Sequence, residues 1–417
     1  MDIFVGVIVG LLVLMLLVTL HEFGHFLAAR RNGVRVLEFG IGFPPRAIAW
    51  KKDPKNGRWK RLPKSEWGNE NVTKAVGVEK NGSTNDGLIF SLNLLPIGGF
   101  CQMDGESDAD TRKGTFGASS FWAKTKILFA GVAMNWLVAF IILTILAWTG
   151  MPDFLENQFT IDADARIDYT PVKITSVAED SPAAIAGIIP GDSIIAIDGN
   201  NIRHGNAVID YNYTRAGEEV IYKILRQDGC DNDCNLNVPV KLNPIDSDYL
   251  LGVTMESSDS RTYSTWSAPI VGAGLTLQVT GETFKGVGEL LWNLISGVGK
   301  LFSTDASVRE SGQAAISSVG DSVSGPVGII GVLFPAFTAT GPTNLAFLAA
   351  IISISLACMN VLPIPALDGG RWLLIAIYKL RRKKLTKEIE EKIVARAFII
   401  LLALMFIVTI LDITRFF

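Results

Sequence analysis

His21 and His25 stand four residues apart in His21-Glu22-Phe23-Gly24-His25, and an α-helix sets positions i and i+4 on one face. Two imidazole nitrogens presented in this way can bind one metal ion. Glu22 beside them can take a proton from a water that the metal activates. This H-E-x-x-H spacing is that of zinc hydrolases, although so short a pattern also arises by chance. Two observations narrow it. The chain has three histidines, and two of them, His21 and His25, lie in the motif, with His204 in a polar stretch far away. The motif also closes the apolar run 1–20, long enough to reach across a bilayer. Ionisable side chains at such a place are costly and point to function.

A catalytic zinc site takes three protein ligands and keeps one open position, so another donor must come from elsewhere in the chain. Asn360-Val-Leu-Pro363-Ile-Pro365-Ala-Leu-Asp368-Gly369-Gly370 supplies it in Asp368, an acid between apolar helix-like stretches that is expensive unless it meets a cation. Capping of the following helix is the plainer role for the same residue. Pro363 and Pro365 force an extended break, which membranes tolerate where the backbone is buried or lines a cavity. At 1.5 Å per residue His21 lies about 27 Å along the first helix, and a helix over 344–361 runs roughly 26 Å in the same direction. The two motifs therefore end at comparable depth.

The elements that must hold these residues are largely apolar. Hydrophobic residues make up 49% of the 417 residues and the mean hydropathy is +0.33, which suits a membrane core with one soluble domain. A net charge of −3 argues against a nucleic-acid partner. Four spans are predicted, at about 3–27, 122–149, 344–362 and 393–413. Lys and Arg crowd 30–80 and 379–392 and are absent from 1–20. The positive-inside rule then puts both basic stretches in the cytoplasm and turns 151–343 outward, for a multi-pass protein of the cell's inner (cytoplasmic) membrane. The first run lacks a basic leader and reads as a retained span rather than a cleaved signal peptide.

Smaller features follow. The stretch 88–103 reads as strand, turn and strand, a membrane-associated hairpin bent at Pro96-Ile97-Gly98-Gly99-Phe100, and 51–86 reads as a polar excursion. Cys101 and Cys358 fall where disulfides are not expected. Cys230 and Cys234 flank an acidic turn and could pair locally; that turn lacks EF-hand spacing. Phe284, Val287, Leu291, Leu294, Val298 and Leu301 recur at helical spacing, as a core face or a helix lying flat on the bilayer.

Taken together, His21–His25 and 360–369 resemble the paired signatures of the site-2 protease family of intramembrane zinc metalloproteases, bacterial regulator-of-sigma-E type, and the resemblance covers nearly the whole chain. Leu95-Pro-Ile-Gly-Gly-Phe100 with Gly105-Glu106 resembles that family's membrane-reentrant β-loop. Gly131-Val-Ala-Met-Asn135 resembles its G-x-x-x-N motif, and Gly325-Pro-Val-Gly-Ile329 the segment before its third span. Residues 172–199 resemble a PDZ domain, in one copy where some members carry two.

The resemblance implies a polytopic α-helical membrane protein of about four transmembrane helices, with a cytoplasmic-side membrane-reentrant β-loop and one extracytoplasmic PDZ (α+β) domain. The implied segments are 1–30 (first span), 31–121 (cytoplasmic loop with the hairpin), 122–150 (second span) and 160–257 (PDZ domain). They continue with 270–343 (amphipathic linker), 344–380 (third span) and 393–413 (fourth span). It implies Zn2+ on His21, His25 and Asp368, Glu22 as general base, and substrate contacts at Asn135, Asn360, Gly98 and Gly99. An amide inside a membrane helix can equally make an interhelical hydrogen bond.

Implied substrates are single-pass transmembrane proteins already trimmed outside, such as an anti-sigma factor, or signal-peptide remnants. PDZ domains commonly capture peptide C-termini by strand addition. No Gly-Leu-Gly-Phe-type loop precedes residue 172, so a domain that only shields the site stays open. Two other readings compete: a metal transporter, which needs donors along a path, and an inactive PDZ scaffold, which sits better with a missing Glu22, His25 or Asp368.

Overall fold

The computed structural model describes residues 3–53, 56–64, 87–155, 157–168, 171–202, 205–226, 234–255, 260–322 and 325–416. Residues 65–86 of the polar excursion, His204 and Cys230 lie outside the described residues. The chain divides into two compact units, Met1–Thr144 with Gly272–Phe417, and Ile145–Val271.

Among the described residues four helices have the length and composition to cross a membrane: Ile3–Arg31, Phe121–Thr149, Pro342–Val361 and Lys387–Thr414. Each carries an 18-residue stretch that is apolar nearly all round, as a helix is when lipid rather than water faces it. The span expected over 344–380 is not one helix. It stops at Val361, crosses a non-helical stretch and restarts as Asp368–Leu380. Pro363 and Pro365 lack the N–H that would continue the ladder, and Gly369 and Gly370 let the restarted helix press on the backbone of Val361 and Ile364.

The first unit also holds a sheet of β1 (Val36–Lys52), β2 (Trp59–Arg61) and β3 (Ile89–Met103), in the order β2-β1-β3. Here the structure corrects the hairpin expected over 88–103. The two limbs of β3 do not pair with each other; a limb of β1 runs between them. Phe39 lies opposite Cys101 on one side and Phe90 on the other, and Gly40 lies opposite Phe100 and Ser91. The physical cause is a buried charge. Glu38 is 2% exposed and its Oε1 accepts from Arg46 Nε at 3.0 Å and from Ser91 Oγ at 2.6 Å, tying both limbs of β1 to β3. Under the sheet, Phe26, Phe39, Phe116, Ile127 and Leu128 form a core with the helices. The bend of β3 carries exposed Leu94 and Ile97.

The second unit is built on a sheet ordered β7-β6-β5-β4-β8, with β4 Val172–Val177, β5 Ser193–Ile197, β6 Glu219–Arg226, β7 Cys234–Lys241 and β8 Val253–Met255. Alternation of apolar and polar residues turns Val220, Tyr222 and Ile224 of β6 into a core with Val172, Ile174, Ile194 and Val240. The short helix Pro182–Ile185 has Pro at its start and Ser181 as its cap, with Ser181 Oγ accepting from Ala184 N. Asp192, in the Pro-Gly-Asp turn before β5, is fully buried and accepts two hydrogen bonds from Arg226, at 2.7 and 2.6 Å.

In the helix Ala268–Leu301, Phe284, Leu291 and Val298 of the apolar stripe are exposed, which excludes the core-face reading at those positions.

Candidate metal centre

Helical periodicity alone sets His21 and His25 side by side in Ile3–Arg31, their Nε2 atoms 3.1 Å apart. The helix restart after Pro363 and Pro365 then brings in Asp368. Its Oδ2 lies 3.1 Å from Nε2 of His21 and 3.2 Å from Nε2 of His25. Asp368 is the first residue of its helix and Leu367 is the cap position, so the carboxylate is aimed at the imidazoles rather than spent on capping.

This triangle suits zinc. A tetrahedral ion with bonds of about 2.0–2.1 Å holds its ligand atoms roughly 3.3 Å apart. The tautomer of His25 is suited as well. Its Nδ1 lies 2.8 Å from the carbonyl oxygen of Ile127, which can only accept, so the proton sits on Nδ1 and Nε2 keeps its lone pair for a metal. Both imidazoles are buried, and a carboxylate shared between them offsets a cation's charge.

A cavity of about 280 Å³ opens on the three donors, and Glu22, Asn135 and Asn360 line it with them. Val18, Leu356, Ala366 and Leu367 make the apolar remainder. Asn135 is fully buried; its Nδ2 lies 3.1 Å from Nδ1 of His21, its backbone oxygen accepts from Ser353 Oγ at 2.9 Å, and its Oδ1 has no hydrogen-bond partner among the described residues. Six of the eight expected site residues thus meet in one cavity. Gly98 and Gly99 do not. They are buried against Val18 and Thr19 of the first helix, where a side chain would crowd the contact.

One contributor escaped the sequence reading: the carbonyl of Ile127, which leaves no mark on residue type. Gly131, which opens the Gly131-Val-Ala-Met-Asn135 motif one turn before Asn135, is the residue whose missing side chain makes room for both imidazoles.

In the unit Ile145–Val271 a second cavity, of about 400 Å³, lies between the helix Gly205–Thr214 and β4 and β8. Ile209, Asn212, Ser176, Val177 and the run Tyr249-Leu-Leu-Gly-Val253 line it.

Comparison with known proteins places the chain. The pattern of peptidase family M50 matches residues 9–61 and 72–405, and the chain belongs to that family, the site-2 proteases. A Clostridium perfringens protein named, by inference, a zinc metalloprotease is 29% identical over 98% of this chain and 98% of its own length. Zinc metalloprotease RasP of Bacillus licheniformis is 27% identical over 99% of each chain. Regulator of sigma-W protease RasP of Bacillus subtilis is 26% identical over 99% of this chain and all of its own. Among solved structures, the PDZ domain of an SdrC-like protein from Listeria monocytogenes is 31% identical over 22% of this chain and 92% of that one, with a TM-score of 0.19. The chain is a membrane zinc metalloprotease, and its cofactor is Zn2+.

Proposed function

We propose that the chain hydrolyses peptide bonds inside the transmembrane segments of single-pass membrane proteins, with His21, His25 and Asp368 holding the zinc. The observation that carries this reading is the convergence of the three donors and Glu22 on one cavity formed by apolar helices. Zinc held there supplies Lewis acidity, polarising the scissile carbonyl and acidifying water. Glu22 accepts the proton from the attacking water and returns it to the departing amine. The side-chain nitrogen of Asn135, 3.1 Å from Nδ1 of His21, orients that imidazole. Asn360, which lines the same cavity, donates to the substrate backbone.

A substrate helix hides its peptide bonds within its own ladder and has to unwind before attack. The exposed apolar bend of β3 at Leu94 and Ile97 is suited to receive the unwound strand at membrane depth. The basic stretches put the metal centre toward the cytoplasm and the unit Ile145–Val271 outside, in the inner membrane. That unit we read as a single PDZ domain. The groove along β8 and the helix Gly205–Thr214 fits a peptide C-terminus, and Leu250-Leu-Gly-Val253, which leads directly into β8 rather than preceding residue 172, is its candidate carboxylate loop. The name of the Bacillus subtilis relative suggests anti-sigma factors as substrates; remnant signal peptides share the same single-pass form.

The test expresses wild type and Glu22→Gln with a tagged single-pass substrate while bound zinc is measured. Zinc retained with cleavage lost is expected. Undiminished cleavage by the variant would remove Glu22 from the reaction.

A further inference from the structure

Apart from the metal centre, a cavity of about 580 Å³ lies where two of the apolar helices begin. Phe121 and Lys124 come from the start of Phe121–Thr149, Ile375 and Lys379 from the end of Asp368–Leu380, and residues 383–388 lead into the last helix. Its lining carries five lysines, Lys124, Lys379, Lys383, Lys384 and Lys387, against two acids, Asp108 and Glu388. Lys124 is buried and its ammonium is held by Asp108, and Lys387 pairs with Glu391 at 3.7 Å, so the uncompensated charge rests with Lys379, Lys383 and Lys384. Lys379 Nζ sits 4.1 Å from the centre of the Phe121 ring, which leaves that ammonium over an apolar floor.

Two further observations fix what such a cavity meets. The first residues of Phe121–Thr149 mark the level at which this span leaves the hydrocarbon. At that level Trp122 is 71% exposed and Leu380 is 86% exposed, large apolar side chains turned outward beside the lysines. Tryptophan at this height marks the headgroup region. Basic pockets between spans at that height receive anionic lipid headgroups. A free phosphate would satisfy the lysines but leave Leu380 and Trp122 without a partner.

We propose that this cavity binds the headgroup of an anionic glycerophospholipid, its phosphodiester on Lys379, Lys383 and Lys384 and its acyl chains along Leu380 and Trp122. The site is separate from the protease chemistry and stands on the membrane location alone.

The experiment uses the full chain in micelles holding equal amounts of phosphatidylglycerol and phosphatidylcholine, with bound lipid counted by native mass spectrometry. Wild type is expected to retain phosphatidylglycerol at least roughly tenfold over phosphatidylcholine. The triple variant K379Q/K383Q/K384Q is expected to fall to parity, and K379R/K383R/K384R to keep the preference with an unchanged unfolding temperature. Removing the same number of charges in the other unit, K173Q/K223Q/K241Q, is expected to change nothing. Parity in wild type, retained preference in the glutamine variant or loss in the control triple overturns the proposal. Millimolar inorganic phosphate is expected to leave the bound phosphatidylglycerol in place; displacement would assign the cavity to a free anion and overturn the lipid assignment.

Discussion

Gly131 stands so close to His21 that a methyl carbon on its Cα would lie 2.6 Å from Nε2 of that histidine, and 2.5 Å from Nε2 of His25. The helix Phe121–Thr149 thus packs its backbone directly on the nitrogens proposed to bind the metal. Gly131→Ala is expected to push both imidazoles off their shared point and weaken zinc binding about 10- to 100-fold, the range for residues that orient ligands. Titration against a competing chelator measures it. Wild-type affinity in the variant would show that the imidazoles do not depend on this contact.

Asp368 is the donor that comes from outside the first helix. Asp368→Ala leaves two imidazoles, too few for a catalytic zinc site. The purified variant is expected to hold less than about a tenth of the wild-type zinc and to lose cleavage. Wild type stripped by chelator is expected to recover on zinc addition, and the variant not to. A variant that keeps full zinc would make another group the third ligand.

Asp412 ties the last helix to the rest of its unit. It is 2% exposed, and its carboxylate accepts from Gly325 N at 3.0 Å and Gly328 N at 2.8 Å. Asp412→Ala strands two buried N–H groups, at a cost of about 1–3 kcal/mol each. A lowered unfolding temperature and faster labelling of single cysteines introduced along 398–407 are expected, with Asp412→Asn closer to wild type because it keeps one acceptor.

Asp164 sets a pH dependence in the other unit. Desolvation pushes its carboxyl pKa up, but hydrogen bonds from the hydroxyl and amide of Ser267 and of Thr265 outweigh it and hold the carboxyl well below the usual carboxylate range. A depressed folded pKa means that the stability it contributes is complete above the ordinary carboxylate value and is lost as the pH falls toward the folded one. Hydrogen exchange at Thr265 and Ser267 is therefore expected to stay slow at neutral pH and to lose protection only in strong acid. Asp164→Ala is expected to remove that protection at every pH; equal protection in the variant would refute the role.

Much of this was legible from spacing. Residues i and i+4 share a helix face whatever surrounds them, so His21 and His25 could be paired before any fold was known. Helix rise is equally local, so depth matching picked out Asp368, which the structure sets 3.1 Å from His21. The apolar runs announced the four long helices for the same reason, and Pro363 with Pro365 announced the break after Val361.

What the sequence did not determine is which distant segments share a surface. The pairing of β1 between the limbs of β3 depends on Glu38 meeting Arg46 and Ser91, a match of charges across the sheet that no periodicity encodes. Gly98 and Gly99 lie where β3 packs on the first helix, a contact that a glycine-rich turn does not announce. The basic run after Leu380 read as orientation alone until the fold set it around a cavity beside Phe121. H-E-x-x-H was written into one helix because its chemistry needs only helical spacing. Completing it with Asp368, Ile127 and Gly131 took two more helices, because a metal's third ligand and its supporting shell must arrive from directions one helix cannot reach.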